Sequence, residues 1–136
     1  MASRELITRH LFECEFSFSP RLSSYIDIDS YASKLFERSS RVEAFADGVL
    51  VGLICYYIRT DSSVFVSNFS IASNFQGSGL ATELFNRFKT LISKEVCNIE
   101  LEVHRTNLRA MKFYLKSGFG EVGGDKEKAV LVYPNI

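Results

Sequence analysis

The chain has 136 residues, enough for one domain around one core. Hydrophobic residues make up 46% and charged residues 24%, a balance that excludes a disordered tract or a chain built of membrane spans. The 16 Lys and Arg are cancelled by 16 Asp and Glu, which removes the electrostatic footprint of a nucleic-acid or anionic-membrane binder.

Residues 2–14 carry two patterns. Leu6, Ile7, His10, Leu11 and Cys14 fit a helix face, whereas Phe12, Cys14, Phe16 and Phe18 alternate as a strand would. The preferred reading is a short helix passing into an extended arm, broken by Ser19-Pro20 and Ser23-Ser24. Asp29 or Ser30 then caps a helix with Tyr31, Ala32, Leu35 and Phe36 on one side. A hairpin follows, Val42–Ala46 and Val49–Ile58, with Asp47-Gly48 supplying the positive φ values of a type I′ turn. Its second arm is almost continuously apolar, as befits a central strand covered on both faces.

Val64, Phe65, Val66, Phe69 and Ile71 favour a strand. Leu80, Leu84, Phe88, Leu91 and Ile92 recur at helical spacing, and the helix is expected to end near Lys94. Between them lie Gly77, Gly79 and the small Ala81. Glycines there let main chain turn sharply and keep side chains out of the way, and the free N–H groups of a helix start favour an anion. A phosphate or pyrophosphate is the natural guest. The dinucleotide pattern fails because Thr82 stands where its third glycine belongs, and no Gly-Lys-Ser/Thr triplet exists for a P-loop.

Asn98–Val103 alternates as a strand, completing a right-handed parallel strand-helix-strand crossover that places ligand at the carboxyl ends of the two strands. A helix over Asn107–Ser117 is stopped by Gly118. Phe119–Val122 and Ala129–Tyr133 read as a last strand pair joined through Gly123-Gly124-Asp125. Twelve Phe and no Trp predict a Phe-rich core. Cys14, Cys55 and Cys97 are odd in number and scattered, so core filling in a reducing compartment is expected. His10 and His104 are too few for a histidine metal site, so no metal is expected. No secretion signal and no membrane span are legible, which predicts a cytoplasmic protein.

Gln76-Gly77-Ser78-Gly79-Leu80-Ala81 resembles the Q/R-x-x-G-x-G/A motif of the GNAT acetyltransferases. Residues 101–119 resemble that family's second block: L-x-V at Leu101 and Val103, N-x-x-A at Asn107 and Ala110, F-Y at Phe113-Tyr114, and G-F at Gly118-Phe119. The resemblance covers Val42–Val132 well and the N-terminal region poorly. It implies a single α/β (α+β) GNAT domain over residues 1–136, with a central mixed, twisted sheet of about six strands flanked by helices around a βαβ cofactor-binding core. Residues 1–40 would form a helical acceptor-side region, 42–103 the core sheet and acetyl-CoA loop, and 107–136 the C-terminal helix and strands.

The co-substrate implied is acetyl-CoA. By resemblance, Phe69, Ser70 and Ile71 match the strand whose main chain pairs with pantetheine. Gln76, Gly77, Ser78, Gly79, Leu80, Ala81 and Thr82 match the pyrophosphate loop. Asn107 matches the residue that holds the coenzyme A chain, and Tyr114 the general acid facing the thioester sulfur. Two helical turns separate Asn107 from Tyr114, which puts both on one face about 10 Å apart along the axis. Glu102 is the candidate base, at the L-E-V position where ribosomal-type N-terminal acetyltransferases carry a Glu; it reads equally as a solvated strand glutamate. Residues 63–82 hold no acid to serve instead. Ser78 replaces a frequent basic residue and Ser73 a frequent proline.

The function implied is acetyl transfer to a primary amine of a small molecule by direct attack. The early Phe-Ser-Pro-Arg-Leu and Ser-Tyr-Ala-Ser-Lys-Leu-Phe segments are similar to those of small acetyltransferases of bacterial polysaccharide pathways, which makes an amino sugar one acceptor. A peptide N-terminus is the alternative acceptor, and a non-catalytic acyl-CoA-binding module the alternative class. The exposed hairpin edge leaves a homodimer open.

Overall fold

The computed structural model describes residues 1–59, 62–92 and 96–134. Helices α1 (Arg4–Cys14) and α2 (Ile28–Arg38) come first, then strands β1 (Ser40–Ala46), β2 (Val49–Ile58) and β3 (Ser63–Ile71). Helix α3 (Leu80–Leu91), β4 (Asn98–His104), α4 (Leu108–Ser117), β5 (Gly120–Gly124) and β6 (Lys128–Pro134) complete the order. The strands form one six-stranded mixed sheet, β1-β2-β3-β4-β6-β5, antiparallel except where β3 and β4 run parallel. That is the expected architecture.

The near-continuous apolar run of β2 is explained by cover on both faces. Leu50, Leu53 and Cys55 pack with Ile7 and Leu11 of α1 and with Ala32 and Leu35 of α2. Ile54 joins the opposite core, built on Leu84, Phe85 and Phe88 of α3. Burying each such side chain stabilises the fold by about 1.5–3 kcal/mol. The Asp47-Gly48 turn takes φ of 52° and 77°, as a type I′ hairpin needs. The expected Phe-rich core is corrected: Phe85, Phe88 and Phe119 are buried, with Phe85 at centroid distances of 6.2 and 5.5 Å from the other two, but Phe12, Phe16, Phe36 and Phe45 are exposed, and Leu, Ile and Val fill most of the core.

Several local expectations are corrected. Helix α2 starts at Ile28 after Asp27, because Ser30 Oγ donates to Asp27 Oδ2 (2.6 Å) inside the first turn, so neither Asp29 nor Ser30 caps it. Phe36 does not join the buried side of α2; it is exposed, with the Arg41 guanidinium 5.5 Å over its ring. Arg41 Nη1 also closes the end of α2 by donating to the carbonyls of Leu35 and Phe36 (3.1 and 3.0 Å). Helix α3 ends at Leu91, with Ile92 already extended, and Leu91 is exposed; Lys94 lies outside the described residues. After α1 the chain makes a short 3₁₀ turn (Glu15–Ser17) before Phe18 extends. The preferred reading of this region, a short helix passing into an extended arm, holds: Phe12 and Cys14 fall in α1, and their alternation with Phe16 and Phe18 builds no strand. Asn107 is the cap of α4 and not its first residue, and Gly123 and Gly124 belong to β5. Cys14 and Cys55 fill the core, whereas Cys97 is exposed. No helix among the described residues is long and apolar enough to cross a membrane.

Candidate active site

The site exists because two parallel strands part company. β3 and β4 pair from Ser63↔Asn98 to Val66↔Leu101 and no further, although β3 runs on to Ile71 and β4 to His104. The bend starts at a bulge: Cys55 faces Asn68 and Tyr56 faces Val66, so Ser67 is the extra residue. A cleft of about 670 Å³ opens between the diverging ends, within the usual range for small-ligand sites.

The turn entering α3 forms one wall. Gly77 and Gly79 have φ of 76° and 89°, a region that L side chains adopt at a cost, and a Cβ on either would meet open space. Ser78 Oγ donates to Phe75 O (2.6 Å) and accepts from Leu80 N (3.3 Å), which locks the turn. Gln76 Nε2 donates to Ile71 O (2.9 Å), tying the turn to the end of β3. The N–H groups of Gly77, Gly79, Ala81 and Thr82 keep no hydrogen-bond partner among the described residues. Unspent donors on a helix N-terminus, with no side chain in front of them, fit a diphosphate. Ser73, where a proline is frequent, instead donates from Oγ to Glu13 O of α1 (3.1 Å).

The opposite wall is β4 and α4. Asn107 Oδ1 accepts from Ala110 N (3.2 Å), which commits the oxygen to capping and leaves the amide NH₂ as a donor at the cleft. Tyr114 is 9% exposed, lines the cleft, and has ring contacts with Phe69, Phe113 and Phe119 at 6.0, 5.5 and 5.4 Å. Its hydroxyl makes no hydrogen bond among the described residues, and burial raises its pKa far above that of a free tyrosine. It therefore holds its proton at any physiological pH. Glu102 lies on the exposed side of β4, with Leu101 and Val103 buried behind it, and its carboxylate is 3.9 Å from Lys128 Nζ. Of the residues singled out from sequence, Glu102, Tyr114, Asn107, Phe69, Ser70, Ile71, Gln76, Gly77, Gly79, Ala81 and Thr82 line this one cleft. Ser78 and Leu80 do not.

A family model of the GNAT acetyltransferases matches residues 5–119. The chain belongs to that family. It is thus an acyltransferase by family, and solved GNAT structures share its fold. One is the PaiA N-acetyltransferase of Thermoplasma acidophilum in complex with coenzyme A, at 18% identity, covering 98% of this chain and 95% of that one, TM-score 0.76. Another is the ribosomal-protein alanine N-acetyltransferase of Escherichia coli, at 17% identity, covering 98% and 90%, TM-score 0.75. A third is an aminoglycoside 6′-acetyltransferase type Ii, at 16% identity, covering 98% and 90%, TM-score 0.79. At such identities the likeness is one of fold. No curated protein is matched by sequence.

Sequence reasoning missed a buried polar chain behind the cleft. His10, 1% exposed on α1, sets Nδ1 3.2 Å from Leu50 O and Nε2 2.9 Å from Ser70 Oγ. Ser70 Oγ donates to Asn68 Oδ1 (2.8 Å), Asn68 Nδ2 to the Tyr31 hydroxyl (3.4 Å), and that hydroxyl to the bulged Ser67 carbonyl (2.9 Å). Burial lowers the His10 pKa to about 4, so the ring is neutral at neutral pH. The chain ties α1 and α2 to the stretch of β3 that leaves β4. The sequence signal was the run of polar residues Ser67, Asn68 and Ser70 after the apolar Val64, Phe65 and Val66 of the same strand. The sequence also gave no hint that the loop after α1 reaches across the cleft. Ser19 Oγ donates to Thr106 Oγ1 (3.2 Å), Thr106 Oγ1 donates to Ser19 O (3.0 Å), and the Tyr25 ring lies 5.2 Å from that of His104.

Proposed function

We propose that the protein transfers acetyl from acetyl-CoA directly to the primary amine of a small molecule, with Tyr114 as general acid and Glu102 as general base. The observation that supports this best is the Tyr114 hydroxyl. It is protonated, has no hydrogen-bond partner among the described residues, and shares a cleft with the unspent amides of the α3 turn. The turn amides hold the diphosphate. The Asn107 amide and the unpaired main chain of β3 hold the pantetheine arm, so that the thioester lies beside Tyr114.

A free amine enters as ammonium near neutral pH and has no lone pair for attack. Glu102 takes that proton, directly or through one water. The nitrogen then bonds to the carbonyl carbon, and a main-chain N–H of β3 stabilises the oxygen as it gains charge. On collapse the C–S bond breaks and the thiolate takes the Tyr114 proton, while the nitrogen gives up its second proton to solvent, which reprotonates the tyrosinate. The cleft accommodates this direct route without a covalent acyl-enzyme: neither Cys14 nor Cys55 lines it, and burial pushes both thiols up to about 12.

Release of coenzyme A thiol with acetyl-CoA and a panel of primary amines tests the reading. Acceptor-dependent release is expected, and it should be lost in Tyr114→Phe while coenzyme A affinity holds. Coenzyme A binding without turnover of any amine would instead make the protein an acyl-CoA-binding module.

A further inference from the structure

We infer, resting on this transferase reading, that the acceptor is a small molecule with one amine on a ring or apolar body and no second ammonium, selected by the segment from Phe16 to Tyr25. This segment closes the cleft. Its near end is braced where Glu15 accepts from Ser23 Oγ and pairs with Arg21 (3.5 Å). Its far end is fastened to the opposite wall, by two hydrogen bonds between Ser19 and Thr106 (3.2 and 3.0 Å) and by the contact of Tyr25 with His104 (5.2 Å). Phe16, Phe18, Ser19 and Tyr25 therefore line the same cavity as Tyr114 and Glu102. A polypeptide N-terminus needs a groove open along its length, which a segment fastened from one wall to the other narrows. The 670 Å³ that remains is shared with the pantetheine arm, which leaves space for a small body.

Charge narrows the class. Among the described residues the charged side chains lining the cleft are Glu102, Arg109 and Lys128. Glu102 is already beside Lys128 at 3.9 Å, and Arg109 forms no ion pair among the described residues. With Glu102 and Lys128 paired, a second ammonium on the acceptor would meet Arg109 as the cation in excess and no carboxylate outside that pair among these lining residues, an arrangement that disfavours polyamines by repulsion. Shape supplies the attractive half. The Phe16 ring is 76% exposed, with the Arg21 guanidinium 5.6 Å over it, and Tyr25, against His104, is 45% exposed; together with Phe18 they give the cleft an aromatic edge that a ring or apolar body can contact.

The test compares kcat/KM for glucosamine and phenethylamine, each one amine on a ring, with spermidine and with a hexapeptide bearing a free N-terminus. At least one ring monoamine is expected to exceed spermidine and the hexapeptide by about tenfold or more. Spermidine or the hexapeptide as best acceptor would overturn the inference and leave the transferase reading standing. No thiol release with any of the four, or with a wider amine panel, would remove both. In the double variant Ser19→Ala, Thr106→Val the unfastened segment should raise KM for the monoamine about three- to tenfold and narrow its lead over the hexapeptide, with KM for acetyl-CoA unchanged. Unaltered selectivity in that variant would take the segment out of acceptor choice.

Discussion

Replacing Tyr114 by Phe removes one oxygen from a ring that three aromatic neighbours hold at 5.4 to 6.0 Å. Those contacts survive the change, and the hydroxyl has no hydrogen-bond partner among the described residues to orphan, so stability should move by no more than about 0.5 kcal/mol. General acids contribute about 10²–10⁴ in rate, so kcat should fall by that factor, an increase in the barrier of about 2.7–5.4 kcal/mol. Coenzyme A affinity should stay within about twofold, because the acid acts on the thiolate only as the C–S bond breaks. Thiol release at saturating acetyl-CoA reads the first quantity, and calorimetric titration with coenzyme A reads the second. The variant has a signature in alkali as well. Burial raises the folded-state pKa of Tyr114 above that of the unfolded chain, so its contribution to stability is full below about pH 10 and is lost above it as the unfolded tyrosine ionises. Tyr114→Phe should lack that alkaline loss. Wild-type turnover in a folded Tyr114→Phe variant would refute the assignment.

Four further outcomes follow from the geometry. Glu102→Gln should move the pH optimum of kcat/KM upward, because acceptor molecules must then arrive already deprotonated; an unmoved profile assigns the proton to another group. Gly79→Ala should destabilise the fold by about 1 kcal/mol at φ 89° and weaken coenzyme A binding about tenfold or more, since the added methyl faces the open side of the turn. His10 is neutral in the fold with a pKa of about 4, against 6.5 when unfolded. Stability should therefore be full above about pH 6.5 and fall by about 3 kcal/mol as pH drops toward 4, a slope that His10→Gln abolishes in urea titrations at each pH. Tyr31→Phe strands the Ser67 carbonyl and an Asn68 donor, which should cost about 1–3 kcal/mol in the same titrations and raise KM for acetyl-CoA.

What could be read from sequence was what the chain decides locally. The Asp47-Gly48 hairpin, the Gly77 to Gly79 turn and the Asn107 to Gly118 helix each carry their own start, stop and periodicity within a few residues, and all three stand where expected. The place of the cleft, at the carboxyl ends of β3 and β4, followed from the crossover rule combined with a glycine turn, whereas the parting of the two strands did not. The N-terminal region was least legible because its conformation is set by partners far along the chain. His10 meets Ser70, Tyr31 meets Ser67, and Ser19 meets Thr106, separations of 60, 36 and 87 residues. The helix face of Leu6, Ile7, His10, Leu11 and Cys14 was legible, but nothing in the pattern from Phe12 to Phe18 announces those contacts. The cap of α2 was misplaced for a smaller reason. Asp27, Asp29 and Ser30 are all good caps by residue type; the helix begins at the first of them, where Tyr31 N donates to Asp27 O (2.9 Å) and Ser30 Oγ to Asp27 Oδ2 (2.6 Å).

The central claim is that the turn entering α3 grips the diphosphate of coenzyme A. Titrating coenzyme A into isotope-labelled protein and following backbone amide resonances tests it most directly. The largest shifts should fall on Gly77, Gly79, Ala81 and Thr82, with Asn107 following. Saturable binding whose shifts cluster elsewhere, or no binding at millimolar coenzyme A, would contradict it.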